Sequence, residues 1–405
     1  MRQYGSLLVI LLVIVAAFAT TGFQCSSAEI TSARIYVQQK NWPKAEDACL
    51  KEIAKNDKNE EAWYTLGQVR YEMRKYPDAL DAFAKAGSIS ETHKADIAKY
   101  KLVIWQSSFN DGVRFFNAGR DTSAYYDSAL ACFTKGIMAE PDTPMTYFVA
   151  GRTALAKKDM KASLDYFETA MAKNPRYAEA ASALGDIHYS MGLEKASAKD
   201  EAGADAEFQK SVSAYETAYN LAPDNSNTIT ALIEVLDRTK NPGKALSITR
   251  DAIAREPNNK VYRYALGVFL LQQAEAFAAS AKYDSAESRY ADGVEQFKKA
   301  LEIDPNYADA TYNAGVSYLN WGVTLRSALD KKMESMKRGT PVDPKAEQAY
   351  KEKYKLALPY LEKAVETHQE NIALLQNLGK LYMLLNMSDK SKAVFSKIDQ
   401  LTKSK

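Results

Sequence analysis

The chain has 405 residues, 46% hydrophobic and 26% charged, proportions close to globular averages that exclude a disordered tail protein and a multi-span membrane protein. Its 53 Lys and Arg against 51 Asp and Glu leave a formal charge of +2, which argues against a basic nucleic-acid binder, so no nucleic-acid partner is expected. With 18 Gly, 12 Pro, 3 Cys and 3 His there is no collagen-like or disulfide-framework composition and little material for a metal site.

At the amino terminus Arg2 precedes an unbroken apolar run from Leu7 to Ala19, followed by Thr20, Thr21 and Gly22. Charge, apolar core and small residues in that order form a secretory signal, and residues 1–25 are read as one. The apolar run rises only about 20 Å as a helix, short of the roughly 30 Å hydrocarbon layer, so removal or lipid replacement is expected rather than a permanent span. Two processing outcomes are compatible with the residues. Ala17-Phe18-Ala19 suits ordinary cleavage, whereas Cys25, before Ser26 and Ser27, suits the acylated first residue of a bacterial lipoprotein, although Phe23 and Gln24 stand where such signals carry small residues. The expected location is the cell envelope, periplasm or outer membrane, with Cys25 as the lipidation candidate and the amino terminus as a membrane tether.

Beyond the signal, one unit recurs. Trp63, Leu66, Gly67, Ala79, Phe83 and Ala86 share their offsets with Tyr147, Ala150, Gly151, Ser163, Phe167 and Ala170, and Pro175 follows the second set. The period is 34 residues, and repeats of this length are the mark of a stacked architecture. Small residues recur at unit position 8, as Ala33, Gly67, Gly151, Gly185, Gly267, Gly315 and Gly379; prolines recur at position 32, as Pro141, Pro175, Pro223, Pro257 and Pro305. Apolar residues at 4, 7 and 11 share one face of a first helix, and those at 20, 24 and 27 one face of a second. Small residues at 8 and 20 let the two helices approach toward the close end of the 8–10 Å range, with Phe at 24 filling the space above. Proline at 32 ends each second helix, and Pro43, Pro77 and Pro242 suit the first turn of second helices, where the leading amide needs no partner.

This pattern resembles the tetratricopeptide repeat. The resemblance implies an all-α fold, a right-handed superhelical solenoid of about nine antiparallel helix pairs in units 26–59, 60–93, 94–143, 144–177, 178–225, 226–259, 260–307, 308–371 and 372–405. In the third unit Lys101 falls where a small residue belongs, and the register from Trp105 to Phe116 is open. A single unit cannot bury its own apolar face, so stability is expected from stacking.

Four units exceed the basic length between positions 8 and 20: the third by 16 residues, the fifth and seventh by 14 and the eighth by 30. Fourteen residues shared equally lengthen each helix by seven, about two whole turns, so elongated hairpins keep their apolar faces aligned. Gly203 and Tyr283-Asp284 are expected as turns within these excursions. The longest, Asn320 to Tyr354, carries Lys331, Lys332, Lys337 and Arg338 before a break at Gly339-Thr340-Pro341. That basic tip is a candidate contact for an acidic partner or anionic lipid, set against a solvated face in which Glu334, Asp343, Glu347 and Glu352 are interspersed.

The resemblance also implies a partner groove lined by first helices. Its position 5 is aromatic in Tyr64, Phe148, Tyr264 and Tyr312, with Tyr71 and Tyr189 at position 12 and Arg152 at position 9. These seven are the candidate partner-binding residues, since rings supply large apolar area with a polar tip; the competing reading is packing against the neighbouring unit. Gln68, Arg152, Asp186 and Glu234 at position 9 lack the charge clamp with which some relatives grip a carboxyl-terminal acid. Cys49 and Cys132 lie two units apart, too far to bridge, and read as free thiols. His93, His188 and His368 are too dispersed to share a metal, so neither a metal, a cofactor nor a catalytic set is expected. The leading expectation is a non-enzymatic interaction scaffold of the cell envelope; the alternative is a glycan or small-ligand binder with an aromatic platform.

Overall fold

The computed structural model describes residues 27–337 and 341–403. Among the described residues the chain is all-helical, with eighteen helices in nine antiparallel pairs. It divides into two compact units, Met1–Ala180 and Ala181–Lys405, the boundary falling within the helix Ala178–Ser197. The first contains α1 (Ala28–Gln38) with α2 (Trp42–Lys55), α3 (Glu60–Glu72) with α4 (Tyr76–Ile89), α5 (Lys94–Ala118) with α6 (Tyr125–Ala139), and α7 (Pro144–Ala156) with α8 (Met160–Lys173). The second pairs α9 (Ala178–Ser197) with α10 (Glu201–Leu221), α11 (Ser226–Arg238) with α12 (Pro242–Arg255), α13 (Lys260–Ala279) with α14 (Tyr283–Ile303), α15 (Ala308–Glu334) with α16 (Pro344–Thr367), and α17 (Ile372–Leu384) with α18 (Ser388–Lys403). The signal segment, Cys25, Arg338 and the Gly339-Thr340 break lie outside the described residues.

Close approach within a pair follows from the small residues. A β-carbon added to Gly67, Gly151 or Gly267 would meet the ring of Phe83, Phe167 or Phe297 below 3 Å. The backbones come near enough for a hydroxyl on the second helix to reach a glycine carbonyl on the first. Ser163 donates to the Gly151 oxygen at 2.8 Å, Ser211 to that of Gly185 at 2.8 Å and Ser391 to that of Gly379 at 3.2 Å. These bonds satisfy side chains that are themselves buried, where an unpaired hydroxyl would be costly.

In the elongated hairpins the same pairing recurs two turns higher. Gly185 faces Tyr215, and Gly192 faces Phe208; Gly315 faces Leu361, and Gly322 faces Tyr354. Each step moves seven residues up the first helix and seven down the second, about two turns on each, so both apolar seams continue in line. Ala274 and Tyr290 take the corresponding upper places above Gly267 and Phe297, and both are buried.

Among the described residues, seven of the turns within pairs share one closure. In the first, the Asn41 amide donates to the Tyr36 carbonyl across Lys40, whose φ is 54°. The same bond spans Arg74, Lys158, Lys199, Lys240, Ala281 and Asn386, all with positive φ. This is the Schellman ending of a helix, in which a left-handed residue lets a later amide cap an orphan carbonyl. Two expected turns are therefore displaced. Lys199 and Ala281 make them, while Gly203 lies in α10 with its amide capped by Asp200 at 2.9 Å, and Tyr283 opens α14.

The third pair departs from the register expected at Lys101. Gly112 is the residue that meets Phe133, and seven residues on Gly119 meets Tyr126. The small position thus falls eleven residues later than expected, about three helical turns, and α5 gains a leading segment, residues 94–104, before its pairing with α6 begins.

Candidate functional site

That leading segment of α5 runs against α3 and builds the most distinctive aromatic cluster of the first unit. Asn59 caps α3 by accepting from the Ala62 amide at 3.3 Å, and Tyr64, Gln68 and Tyr71 follow at i, i+4 and i+7 on one face. Asp96, Lys99, Tyr100 and Val103 repeat that spacing on α5. Together Tyr64, Tyr71, Asp96, Lys99, Tyr100 and Val103 line an open pocket of about 260 Å³.

Its rings hold one another. Tyr100 stacks on buried Phe83 at 5.1 Å and meets Tyr71 edge-on at 4.9 Å and 67°, while Tyr76 supports Tyr71 at 5.9 Å. Tyr64 stacks on the His93 imidazole at 3.8 Å, which is fixed in turn by Glu60 at 2.7 Å. The Gln68 amide nitrogen donates to both the Tyr64 and Tyr100 hydroxyls, at 2.9 and 3.3 Å. Burial pushes the Tyr64 hydroxyl up to about 12 and raises that of Tyr71, so both are protonated at neutral pH. Asp96 and Lys99 pair with each other at 2.9 Å. That hydrogen bond lowers the carboxyl and raises the ammonium, so both stay charged.

The structure thus brings together two of the seven sequence candidates, Tyr64 and Tyr71. Sequence reasoning missed Tyr100 and Val103, because counting from Lys101 placed them in the body of an unresolved unit. The signal that finds them is Gly112: taken as the small residue, it frees the three turns before it.

The other candidates sit apart from the pocket. Phe148 is held between Phe167 at 5.6 Å and Tyr177 at 5.2 Å. Arg152 is exposed, its guanidinium 5.6 Å from the Phe116 ring. In the second unit Tyr264 lies between Phe297 at 5.9 Å and Tyr307 at 5.2 Å, and its hydroxyl accepts from Asn313 at 2.9 Å. Tyr312 accepts likewise from Asn377 at 2.9 Å. Tyr189 packs on Phe208 at 5.6 Å beneath Arg238, and its hydroxyl donates to Glu234 at 2.5 Å. Among the described residues every position-5 ring is half-buried; Phe148 is held by ring contacts alone, and Tyr64, Tyr264 and Tyr312 also accept hydrogen bonds from Gln68, Asn313 and Asn377. At the eighth hairpin Lys331 lies 5.9 Å from the Tyr283 ring, and Lys332 and Lys337 are exposed.

Among the described residues no group of His, Cys, Asp or Glu could hold a metal ion, and no helix is long and apolar enough to cross a membrane. Cys49 and Cys132 are free, and burial pushes the Cys49 thiol up to about 12, leaving it protonated and unreactive.

Residues 30–89, from α1 to the end of α4, match the tetratricopeptide repeat. Helix pairs of this kind generally serve as non-enzymatic interaction scaffolds for protein partners such as peptides. Solved structures similar to this chain include YrrB, a tetratricopeptide protein with an unusual peptide-binding site, at 21% identity over 60% of this chain and 96% of that one, with a TM-score of 0.40. TTC0263 of Thermus thermophilus is 23% identical over 53% of this chain and 99% of its own, with a TM-score of 0.32. The tetratricopeptide domain of P58(IPK) is 14% identical over 92% of each chain, with a TM-score of 0.29. No curated protein matches the chain.

Proposed function

We propose that this chain is a non-enzymatic scaffold of the bacterial cell envelope that seats a partner protein in the tyrosine pocket between α3 and α5. The observation that carries the reading is the convergence of Tyr64, Tyr71 and Tyr100 around one open cavity. Rings already immobilised by stacking lose little freedom when a ligand arrives, which favours binding. The position-9 residues Gln68, Arg152, Asp186 and Glu234 form no cationic clamp, so the partner is gripped by its side chains rather than a terminal carboxylate. Export and tethering rest on the order of Arg2, the Leu7 to Ala19 run and Cys25; the basic residues Lys331, Lys332, Lys337 and Arg338 offer a secondary contact.

Two experiments test this. Crosslinking in intact envelopes followed by purification should return a specific partner that Tyr71→Ala loses and Tyr71→Phe retains; retention by the alanine variant removes the pocket from the proposal. Cys25→Ser should release the chain from membranes, and unchanged fractionation rejects lipid attachment.

A further inference from the structure

The hydrogen-bonding capacity of the tyrosine pocket is lopsided. Because the Gln68 amide nitrogen donates to the oxygens of Tyr64 and Tyr100, each hydroxyl has spent an acceptor site and keeps its proton. Among the described residues neither proton is taken by another protein group. The two charges on the lining, Asp96 and Lys99, neutralise each other at 2.9 Å. What those two hydroxyls keep for a ligand is a pair of O–H donors beside apolar ring surface, with the Tyr71 hydroxyl on the same lining. The edge-on contact of Tyr71 with Tyr100, at 67° between planes, makes that surface a notch, with Val103 45% exposed beside it.

A ligand complementary to these donors and rings supplies carbonyl acceptors and apolar ring edges, and needs neither a net charge nor N–H donors. An extended strand offers donors and acceptors in equal number, and a helix consumes both internally. A polyproline II segment leaves every carbonyl free, and its prolines have no N–H at all. It is also nearly rigid before binding, and aromatic grooves recognise its ring ridges.

We infer that the pocket takes a neutral, proline-rich segment in the polyproline II conformation. A pyrrolidine ring sits in the Tyr71–Tyr100 notch, and neighbouring carbonyls accept from the Tyr64 and Tyr100 hydroxyls. This assignment rests on the pocket being the partner seat.

The test is fluorescence anisotropy of the full-length protein with a labelled ten-residue oligoproline, against an alternating Ala-Ser peptide of equal length. Oligoproline should bind saturably and about tenfold more tightly. Tyr64→Phe, which removes one donor and keeps the ring, should weaken it about fivefold, Tyr71→Ala should weaken it further, and Lys85→Ala, at an exposed residue outside the pocket lining, should leave it unchanged. Circular dichroism of each variant establishes that the fold is intact. Equal affinity for the two peptides, or indifference to Tyr64→Phe, overturns the ligand class. If oligoproline fails while Tyr71→Ala still abolishes capture of the crosslinked envelope partner, the ligand class is wrong and the seat stands. If that capture also survives Tyr71→Ala, the seat itself is wrong.

Discussion

Gly67 lies so close to Phe83 that a β-carbon on it would stand 2.5 Å from two ring carbons. The ring is fully buried and has no room to swing aside. Gly67→Ala should therefore destabilise the first unit by about 1–3 kcal/mol through overpacking, despite the better helix propensity of alanine. Gly87, in α4, has nothing within 4 Å of the same atom, so Gly87→Ala should stabilise by about 0.5–1 kcal/mol. Urea midpoints of the two variants should move in opposite directions; a shared direction would mean that propensity, not close approach, governs these positions.

The turns make a second prediction. Ala281 adopts φ 57°, a left-handed conformation that costs a side-chain-bearing residue roughly 1–2 kcal/mol, and alanine has no polar group to compensate. Ala281→Gly should raise stability by about 0.5–1 kcal/mol after the larger chain entropy of glycine is counted, and Ala281→Val should lower it. Thermal unfolding of the pair checks this, and a loss with glycine would show the turn is held by other means.

These two features differ in how far the sequence discloses them. Small residues opposite rings leave a fixed spacing, so Gly67 with Phe83 and Gly151 with Phe167 are legible as letters. Prolines at 43, 77 and 242 likewise mark helix starts, and α2, α4 and α12 each carry proline in the first turn. The left-handed turns are not legible, because Lys, Arg, Ala and Asn occupy seats where glycine is the usual sign. The third pair escaped for another reason. A shift of eleven residues is close to three whole helical turns, so the apolar stripe of α5 looks the same from Lys101 or Gly112. Only the contact with Phe133 separates the two registers, and the pocket at Tyr100 depends on which holds. The aromatic candidates were legible as aromatic, but one-dimensional spacing cannot show that Asn313 and Asn377 reach across to Tyr264 and Tyr312.

That cross-pair bond can be measured. The Asn313 amide donates to the Tyr264 hydroxyl at 2.9 Å, and burial raises the pKa of that hydroxyl, keeping it protonated. Tyr264→Phe and Asn313→Ala should each cost about 1 kcal/mol or slightly more, and the double variant should cost less than their sum, with a coupling of about 0.5–1.5 kcal/mol. Strict additivity in urea unfolding would mean the bond contributes nothing. Because Tyr64, Phe148, Tyr264 and Tyr312 all engage neighbouring residues, their joint replacement by alanine would test folding before binding, which is why Tyr71 and the Tyr64 hydroxyl are the informative changes at the pocket.

Acid should act on the α9–α10 hairpin through Glu207. This carboxylate is 4% exposed, yet it meets His188 at 2.8 Å, Lys195 at 3.1 Å and Lys210 at 3.2 Å. Burial alone would raise its pKa, but the hydrogen bonds from His188, Lys195 and Lys210 outweigh it and lower the carboxyl from 4.5 to about 2. A carboxyl depressed in the folded state contributes stability above its unfolded pKa, and that contribution disappears as pH falls from about 4.5 toward 2. The full shift corresponds to on the order of 3 kcal/mol. Glu207→Gln keeps the side-chain shape but cannot titrate. It should be less stable than the parent at pH 7, and the difference should shrink steadily between pH 4.5 and 2, as the parent loses what the variant never had. Other carboxylates titrate equally in both proteins, so the difference isolates Glu207. Parallel stability curves across that window would show that the three donors stabilise the hairpin without discriminating the charged carboxylate, and the ion cluster would then be a packing feature of the tall hairpin.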